Sequence, residues 1–228
     1  MKTSFPVDNL PYLLKRQLSN FFPVSQDEYD QLCEDITCAL SKVQYNFSHC
    51  TNKYYNRDGE VYFSPWHSGQ YTIFLYYLSH IAGTKNNDLG DKIYYLNKIM
   101  NSCDLYYQIE LPDIFFCDHP VGTVLGRAEY ADGFTFSQNC TVGNNHGIYP
   151  VIGRNVRMCA GTSIIGKCRI GDNVILGAGA LIKDEDVPDN SLVFGQSPNL
   201  LIKKNRLGNT ADPGGCTVTP DLFVNSKK

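Results

Sequence analysis

The sequence lacks any long apolar segment. Its longest apolar runs, such as Ile73 to Leu78, are far shorter than the ~20 residues that span a bilayer. The N-terminus, from Met1 to Pro6, also lacks the apolar stretch of a secretory signal. We therefore expect a cytoplasmic protein with no membrane span.

A strong excess of charge is missing as well. In 228 residues, 20 Lys and Arg stand against 23 Asp and Glu, which gives a net charge of −3 at pH 7. Proteins whose main partner is nucleic acid or an anionic membrane usually carry a basic excess. The balance therefore predicts no nucleic-acid partner. With 43% hydrophobic residues, the chain is long enough to bury a real core.

The cysteines show no recognisable framework. There are nine, an odd number, and none stand in a Cys-x-x-Cys pair. No histidine or cysteine cluster has the spacing of a zinc site. We expect reduced thiols and no metal.

Composition divides the chain into two parts. Residues 1–118 hold 13 of the 15 tyrosines but only 4 of the 19 glycines. Such a shift marks a change of architecture near residue 115. We predict an N-terminal helical domain over 1–115, a second domain over 116–205 and a tail over 206–228.

The first part has helical signals. Ser25 and Glu28 have the spacing of a capping box. Apolar residues then follow at helical spacing: Leu32, Ile36, Leu40 and Val43. Residues 71–81 are apolar nearly all round, which predicts a buried helix. Residues 91–103 predict a third helix.

The second part has a period of six. Apolar residues recur at this spacing at Val124, Tyr130, Phe136 and Val142, and again at Ile152, Met158, Ile164, Ile170, Leu176 and Ile182. The interval from Val142 to Ile152 is four residues too long, which predicts a loop within 143–149. A period of six favours triangular coils of three short strands, each strand pointing one side chain inward. The ten hexads predict about three coils.

These repeats resemble the hexapeptide-repeat acyltransferases, whose parallel β-helix is left-handed. Within that group, residues 65–205 resemble the serine O-acetyltransferase family. The likeness is greatest at 103–105, 117–122, 138–143, 160–166 and 177–180. The resemblance implies an α+β protein in which an N-terminal α-helical domain precedes a left-handed parallel β-helix. It also implies acetyl-CoA as co-substrate, and a homotrimer or a dimer of trimers.

The resemblance gives roles to three residues before the first hexad. His119 matches the family's catalytic base, and histidine suits proton removal from a hydroxyl at neutral pH. Asp104 matches the aspartate that pairs with this histidine, and Asp118 matches a residue that holds the acceptor. The alternatives are a satisfied histidine at a domain junction, a helix-end cap and a solvated carboxylate.

The resemblance also implies a path for acetyl-CoA. Ala160, Gly161, Ala178 and Gly179 match positions where the family lays this molecule along the β-helix, because small residues permit close approach to the backbone. Lys183 is a candidate for the CoA phosphates. Plain corner residues and a solvated cationic edge are the alternatives.

One departure concerns the acceptor. The family has an Arg-His pair before the proline that matches Pro150, and its arginine holds the acceptor's carboxylate. Here those places read Ile148 and Tyr149. We expect Tyr149 and the nearby His146 to contact the acceptor, with His146 replacing the lost histidine.

The arginine itself has two candidate replacements, Arg127 and Arg154. For a larger acceptor, an aromatic wall would come from the start of the buried helix, at Trp66, His67, Gln70 and Tyr71.

Two classes of function remain at this point. The first is an acetyl-CoA-dependent O-acetyltransferase that acts on a small hydroxyl acceptor, either serine or a serine-like compound. A sugar of a surface polysaccharide is the alternative acceptor. The second class is a non-catalytic β-helix that serves as an assembly module.

Overall fold

The computed structural model describes residues 1–50 and 52–205. Helices fill most of the first hundred residues, and a parallel β-helix follows. The tail predicted over 206–228 lies outside the described residues.

The N-terminal part contains four α-helices and a small sheet. The chain begins with β1 (Lys2–Thr3), a 3-10 turn (Val7–Asn9), α1 (Leu10–Ser19) and α2 (Gln26–Ser48). It continues with β2 (Asn56–Arg57), β3 (Glu60–Phe63), α3 (Ser68–Lys85) and α4 (Asn87–Asn101). Strand β3 lies between the other two, parallel to β1 and antiparallel to β2.

Helix α2 begins at the predicted capping box. The Ser25 side chain accepts a hydrogen bond from the Glu28 backbone N–H at 3.2 Å, and Glu28 accepts one from the Ser25 backbone N–H at 2.9 Å. Lys92 of α4 then donates to the same Glu28 carboxylate at 2.6 Å. The helix start is therefore also a tie between α2 and α4.

The β-helix has three faces. The first contains β4 (Asp104–Leu105), β6 (Val124–Leu125), β9 (Thr141–Gly143), β12 (Ser163–Ile165) and β15 (Leu181–Lys183). The second contains β5 (Phe115–Cys117), β8 (Phe134–Phe136), β11 (Arg157–Met158), β14 (Ile175–Leu176) and β16 (Ser191–Gln196). The third contains β7 (Glu129–Tyr130), β10 (Val151–Ile152) and β13 (Arg169–Ile170). Neighbours on each face pair in parallel, and β17 (Asn199–Lys204) closes the end antiparallel to β16.

The hexads fill the centre of this coil and confirm the predicted fold class. Eight predicted inward residues are at most 3% exposed: Phe136, Val142, Ile152, Met158, Ile164, Ile170, Leu176 and Ile182. Val124 is instead 44% exposed, and its neighbour Leu125 points inward. The prediction is wrong there because the first corners do not keep the six-residue register.

The coil is also longer than the hexads predict, with about five turns rather than three. Strands β4 and β5 precede the first hexad, and β16 follows the last one. The coil consequently begins at Asp104, before the compositional boundary near residue 115. Aromatic residues rather than glycines dominate this first turn, so composition assigns it to the helical part.

Asn46 joins the two parts of the fold. Its buried Nδ2 atom donates to the Tyr77 hydroxyl and to the Phe115 carbonyl, both at 2.9 Å. These bonds connect α2, α3 and β5. Because buried amide donors without partners are costly, the contact fixes the helices against the first coil.

The cysteine prediction is wrong at Cys50, which is disulfide-bonded. Six other described cysteines are free thiols: Cys33, Cys38, Cys103, Cys117, Cys140 and Cys168. Sequence spacing gives no signal for a single bond of this kind. Among the described helices, none has both the length and the apolar character that spanning a bilayer requires.

Candidate active site

His119 lies at the corner between the second and first faces of the coil. It follows β5 directly, and its backbone φ is +49°, in the left-handed region. Strand register places Gly122 of the same corner, at φ +76°, below Asn139, Gly161 and Gly179, which have φ of +55°, +69° and +74° in the next three coils. Asn and Gly are the residues that adopt this conformation at least cost. His119 itself has no counterpart in this series, because its corner is two residues longer than the next one.

These corners stack into one column. The Asn139 N–H donates to the Val121 carbonyl, the Gly161 N–H to Gln138, and the Gly179 N–H to Ala160, each at 2.9 Å. We call residues 118–122, 138–139, 160–161 and 178–179 the corner ridge. The structure therefore places the predicted base in the lowest corner of the edge that carries the four predicted CoA-binding residues.

The upper half of the corner ridge is bare backbone. A methyl group placed on Gly179 would meet nothing within 4 Å, and one on Gly161 would come no nearer than 3.9 Å to any atom. Ala178 and both glycines are exposed. A long flexible ligand can approach the main chain here. Lys183 is exposed at the end of β15, on the first face and away from the ridge.

The carboxylate beside His119 differs from the predicted one. The His119 Nε2 atom lies 3.6 Å from Asp118 Oδ1, and in the part of the chain that the structure describes this is its ion-pairing partner. Asp104 instead accepts hydrogen bonds from the Tyr94 hydroxyl at 2.7 Å and from Lys98 at 2.5 Å. Helix α4 supplies both donors, which the positions of Asp104 and His119, fifteen residues apart in the chain, do not reveal.

His119 opens into a cavity between the helical part and the coil, which we call the junction pocket. Its volume is about 540 Å³. The helical side contributes Asn52, Tyr54, Tyr55, Trp66, His67, Ser68 and Gly69. The coil contributes Phe116, Cys117, Asp118, His119, Thr135 and Arg157. Aromatic walls with a few charged groups are typical of small-molecule sites.

His67 is the N-cap of α3 and has a fixed orientation. Its Nδ1 atom accepts a hydrogen bond from the Gln70 backbone N–H at 3.3 Å. The rings of Tyr54 and Tyr55 lie 5.9 and 5.6 Å from its own. Burial lowers the pKa of His67, and the nearby charge of His119 acts in the same direction. A neutral ring whose Nδ1 accepts must carry its proton on Nε2.

Two of the four predicted wall residues lie behind the pocket rather than on it. Tyr71 is 1% exposed, and its hydroxyl donates to Gln17 in the helical core. Gln70 is also buried, where it donates to the Tyr54 carbonyl at 2.7 Å and accepts from the Ser64 N–H. Because α3 is apolar on every side, its sequence does not indicate which face meets the coil.

The loop after β9 lies at a different corner. The predicted insertion is present, with a bridge between Asn145 and Ile148. Asn145 also donates to Asp184, which fixes the loop to the coil above. His146 and Tyr149 are exposed there, on the opposite side of the first face from His119. A single chain therefore does not bring these two predicted acceptor residues into the junction pocket.

Sequence reasoning missed Tyr54, Tyr55 and Arg157. Arg157 precedes the inward Met158 on β11, so strand alternation gives an outward side chain, but nothing in the sequence shows what it faces. The two tyrosines lie in an irregular segment before β2. Only the packing of the helical part onto the coil brings them to His119.

Comparison with known proteins agrees with this architecture. The family described as bacterial transferase hexapeptide (six repeats) matches residues 149–184. A putative serine acetyltransferase of Schizosaccharomyces pombe is 33% identical over 97 residues, which are 40% of this chain and 36% of that protein. The serine acetyltransferase of Staphylococcus aureus is 25% identical over 154 residues, covering 64% of this chain and 71% of the relative.

Solved structures extend the likeness to the helical part. A serine acetyltransferase of Neisseria gonorrhoeae superposes with a TM-score of 0.68 at 19% identity, over 88% of this chain and 80% of that one. A serine acetyltransferase in complex with CoA gives a TM-score of 0.64 at 16% identity, over 85% and 83%. At such identities the likeness is one of fold. The chain spans about a third of the fission yeast relative's length.

Proposed function

Because the chain is a serine O-acetyltransferase-like hexapeptide-repeat protein, we propose that it is an acetyl-CoA-dependent O-acetyltransferase. One observation carries the proposal. His119 stands where the corner ridge, which is bare at its upper levels, meets the junction pocket. Donor and acceptor can thus approach the same imidazole from two directions.

His119 acts as the general base in this proposal. Its Nε2 atom takes the proton of the acceptor hydroxyl while the oxygen attacks the thioester carbonyl carbon. The C–S bond then breaks, CoA leaves as the thiolate, and the imidazolium returns the proton to sulfur. Asp118 stabilises the imidazolium between these steps. No residue changes its oxidation state, and the products are the acetyl ester and CoA.

Acetyl-CoA lies along the corner ridge in this proposal. Ala160, Gly161, Ala178 and Gly179 offer backbone without side-chain obstruction, which suits a pantetheine arm. Lys183 stays a candidate for the phosphates, although it lies at the end of β15, away from the ridge. Asp104 would act by holding strand β4 below the corner, not by contacting the base.

The acceptor we propose is serine or a serine-like compound. A sugar is the second candidate, and the wall formed by Tyr54, Trp66 and His67 favours it. Aromatic faces commonly pack against rings, and the pocket of about 540 Å³ exceeds what free serine would fill. The pocket's opposite charges, on Asp118 and Arg157, suit an amino acid equally well.

A trimer would complete the site. The loop with His146 and Tyr149 lies at another corner, so it can face a junction pocket only in a neighbouring copy. Exposed aromatic residues of the helical part, such as Phe21 after α1 and Tyr95 on α4, provide a surface for doubling the trimer. A stable and fully active monomer in light scattering would contradict this assembly. The cytoplasmic location stays a prediction.

The deciding experiment measures thiol release from acetyl-CoA with a panel of serine, serine derivatives and sugars. We expect acceptor-dependent release, with the acetyl ester identified by mass spectrometry. His119→Asn should abolish most of it. If no acceptor gives release above hydrolysis, the non-catalytic assembly module becomes the better description.

A further inference from the structure

We infer that the hydroxyl of Tyr55 and the Nε2–H group of His67 together bind a second, uncharged oxygen of the acceptor. This inference rests on the proposed function, and it specifies the substrate class of the junction pocket. The second oxygen does not react, and the reacting hydroxyl lies at His119. Both donors come from the helical side of the pocket, whereas His119 comes from the coil.

The Tyr55 side chain is buried, but its hydroxyl has no partner among the residues that the structure describes. The residue is 3% exposed, and its ring packs edge-on against Phe47 and Phe116 at centroid distances of 4.7 and 5.9 Å. Two described polar side-chain atoms are both buried and unpartnered, Asn46 Oδ1 and Glu185 Oε2, and this hydroxyl is not one of them. It therefore opens into the junction pocket, which its residue lines.

The Tyr55 hydroxyl is a donor at physiological pH. Burial raises its pKa well above the ordinary value, and the nearby Cys117 and Asp118 act in the same direction. The Asp118 carboxylate also disfavours a second anion beside it, because like charges repel. An uncharged oxygen can accept a hydrogen bond from Tyr55 without this cost.

His67 supplies the second donor in a fixed orientation. Its Nδ1 atom accepts a hydrogen bond from the Gln70 backbone N–H, so the neutral ring carries its proton on Nε2. No described residue accepts a hydrogen bond from Nε2. Because His67 also lines the pocket, a ligand can use this donor.

Gly69 keeps open the space that the two donors share. A methyl group on this glycine would come within 3.2 Å of the Tyr55 hydroxyl oxygen and 3.5 Å of the His67 Cε1 atom. We call Tyr55, His67 and Gly69 the pocket floor. The Cys117 thiol donates to the Gly69 carbonyl at 3.5 Å, so the floor lies beside the end of β5, close to His119. An acceptor with its reacting hydroxyl at His119 can therefore place a second oxygen on the floor.

Two sources carry an uncharged oxygen of this kind. A sugar supplies it as a ring hydroxyl, and a serine derivative with an amidated carboxyl group supplies it as a carbonyl. Each source has an analogue without that oxygen. For methyl β-D-glucopyranoside it is tetrahydropyranyl methanol, which keeps the ring and the primary hydroxyl, and for L-serinamide it is ethanolamine.

Thiol release from acetyl-CoA is measured for both pairs with the wild type and with Tyr55→Phe. In one pair we expect the variant to lower kcat/KM about three- to tenfold for the oxygen-bearing acceptor, mainly through KM, and to leave the analogue unchanged. Gly69→Ala, which fills the floor but removes neither donor, should give the same pattern. L-serine is the charged reference. Equal effects on both members of each pair, or an effect confined to L-serine, would overturn the inference.

Tyr71→Phe is the matched control, because Tyr71 is also buried but its hydroxyl donates to Gln17 in the helical core. We expect this control to lower the thermal midpoint and to leave the acceptor preference unchanged. Tyr55→Phe should not lower the midpoint, since its hydroxyl loses no partner in the protein. A lower midpoint with an unchanged preference would make Tyr55 a structural residue and overturn the inference.

Binding separates this failure from failure of the proposed function. Calorimetric titration of the same four acceptors needs no acetyl transfer. Tyr55-dependent binding of an oxygen-bearing acceptor without any transfer would contradict the acetyltransferase and uphold the inference. Transfer that does not depend on Tyr55 would do the reverse, and absence of both Tyr55-dependent binding and transfer would overturn both.

Discussion

The Nε2 atom of His119 lies 3.6 Å from the Oδ1 atom of Asp118, its immediate neighbour in the chain. The imidazole is 88% exposed and the carboxylate 57%, so solvent screens their attraction in the single chain. The strength of the attraction between Asp118 and His119 therefore depends on what covers the two side chains. A bound acceptor and a neighbouring copy would exclude water and strengthen the interaction.

Replacing the proposed base tests the chemistry most directly. We expect His119→Asn to lower kcat by about two to four orders of magnitude, because a placed base contributes that much. Asparagine is the appropriate substitute since it tolerates the left-handed backbone, as Asn139 already does one level above. His49→Asn, at a half-buried histidine outside the pocket, is the control. Turnover near that of the wild type would remove His119 from the mechanism.

The two aspartates should separate in their effects. We expect Asp118→Asn to lower kcat by about tenfold, less than for a buried carboxylate, because solvent weakens the pair. Asp104→Asn should mainly lower the thermal midpoint, since it loses the charged contact with Lys98. Rates and melting curves of both variants decide the point. A larger rate loss in Asp104→Asn than in Asp118→Asn would support the pairing of Asp104 with His119 that the sequence predicts.

The ridge glycines provide a test of acetyl-CoA binding. Gly179→Asn adds a side chain where the chain leaves open space at φ +74°, so folding should be retained. We expect KM for acetyl-CoA to rise about tenfold, the equivalent of ~1.4 kcal/mol of lost contact. The matched control is Gly59→Asn, at φ +79° with equally open surroundings in the hairpin between β2 and β3. Equal kinetics of the two variants would place acetyl-CoA elsewhere.

His67 should make stability depend on pH. Burial lowers its pKa in the folded state, so the unfolded chain takes up a proton first as the pH falls below about 6.5. The free energy of unfolding should therefore decrease as the pH falls from about 6.5 toward the lowered pKa of His67 in the folded state, a range we call the window. His67→Asn keeps a helix-capping side chain but does not titrate. Urea midpoints above and below the window should differ less in this variant than in the wild type or in His49→Asn.

Much of the coil is predictable because its signal is local. Each hexad places one apolar side chain inward. The buried position of the hexad residues from Phe136 to Ile182 can therefore be predicted from the repeat alone, without knowledge of what they contact. The capping box at Ser25 and the loop after Val142 are local in the same sense. The first turn of the coil cannot be predicted in this way, because strand β5 is covered by aromatic residues of the helical part and not by repeated aliphatic residues.

The candidate site is predictable only in part because it forms between distant segments. His119 and Asp118 lie in a short motif, and the small ridge residues follow from the repeat. Arg157 and Tyr54 carry no motif and reach the pocket only through tertiary packing. Tyr71 is the opposite case, a residue predicted in the pocket that lies in the helical core instead. Its helix is apolar on all sides, so the sequence has no periodicity that indicates which face meets the pocket.

The corner ridge has one more consequence, for evolution of the site. Its levels rise by one strand spacing each, so the backbone of Gly179 stands about 14 Å above that of His119. Backbone hydrogen bonds between successive levels fix this distance, so no single substitution can alter it. Side chains along it are free to change the acceptor. Only gain or loss of a whole coil would change how far the thioester must reach.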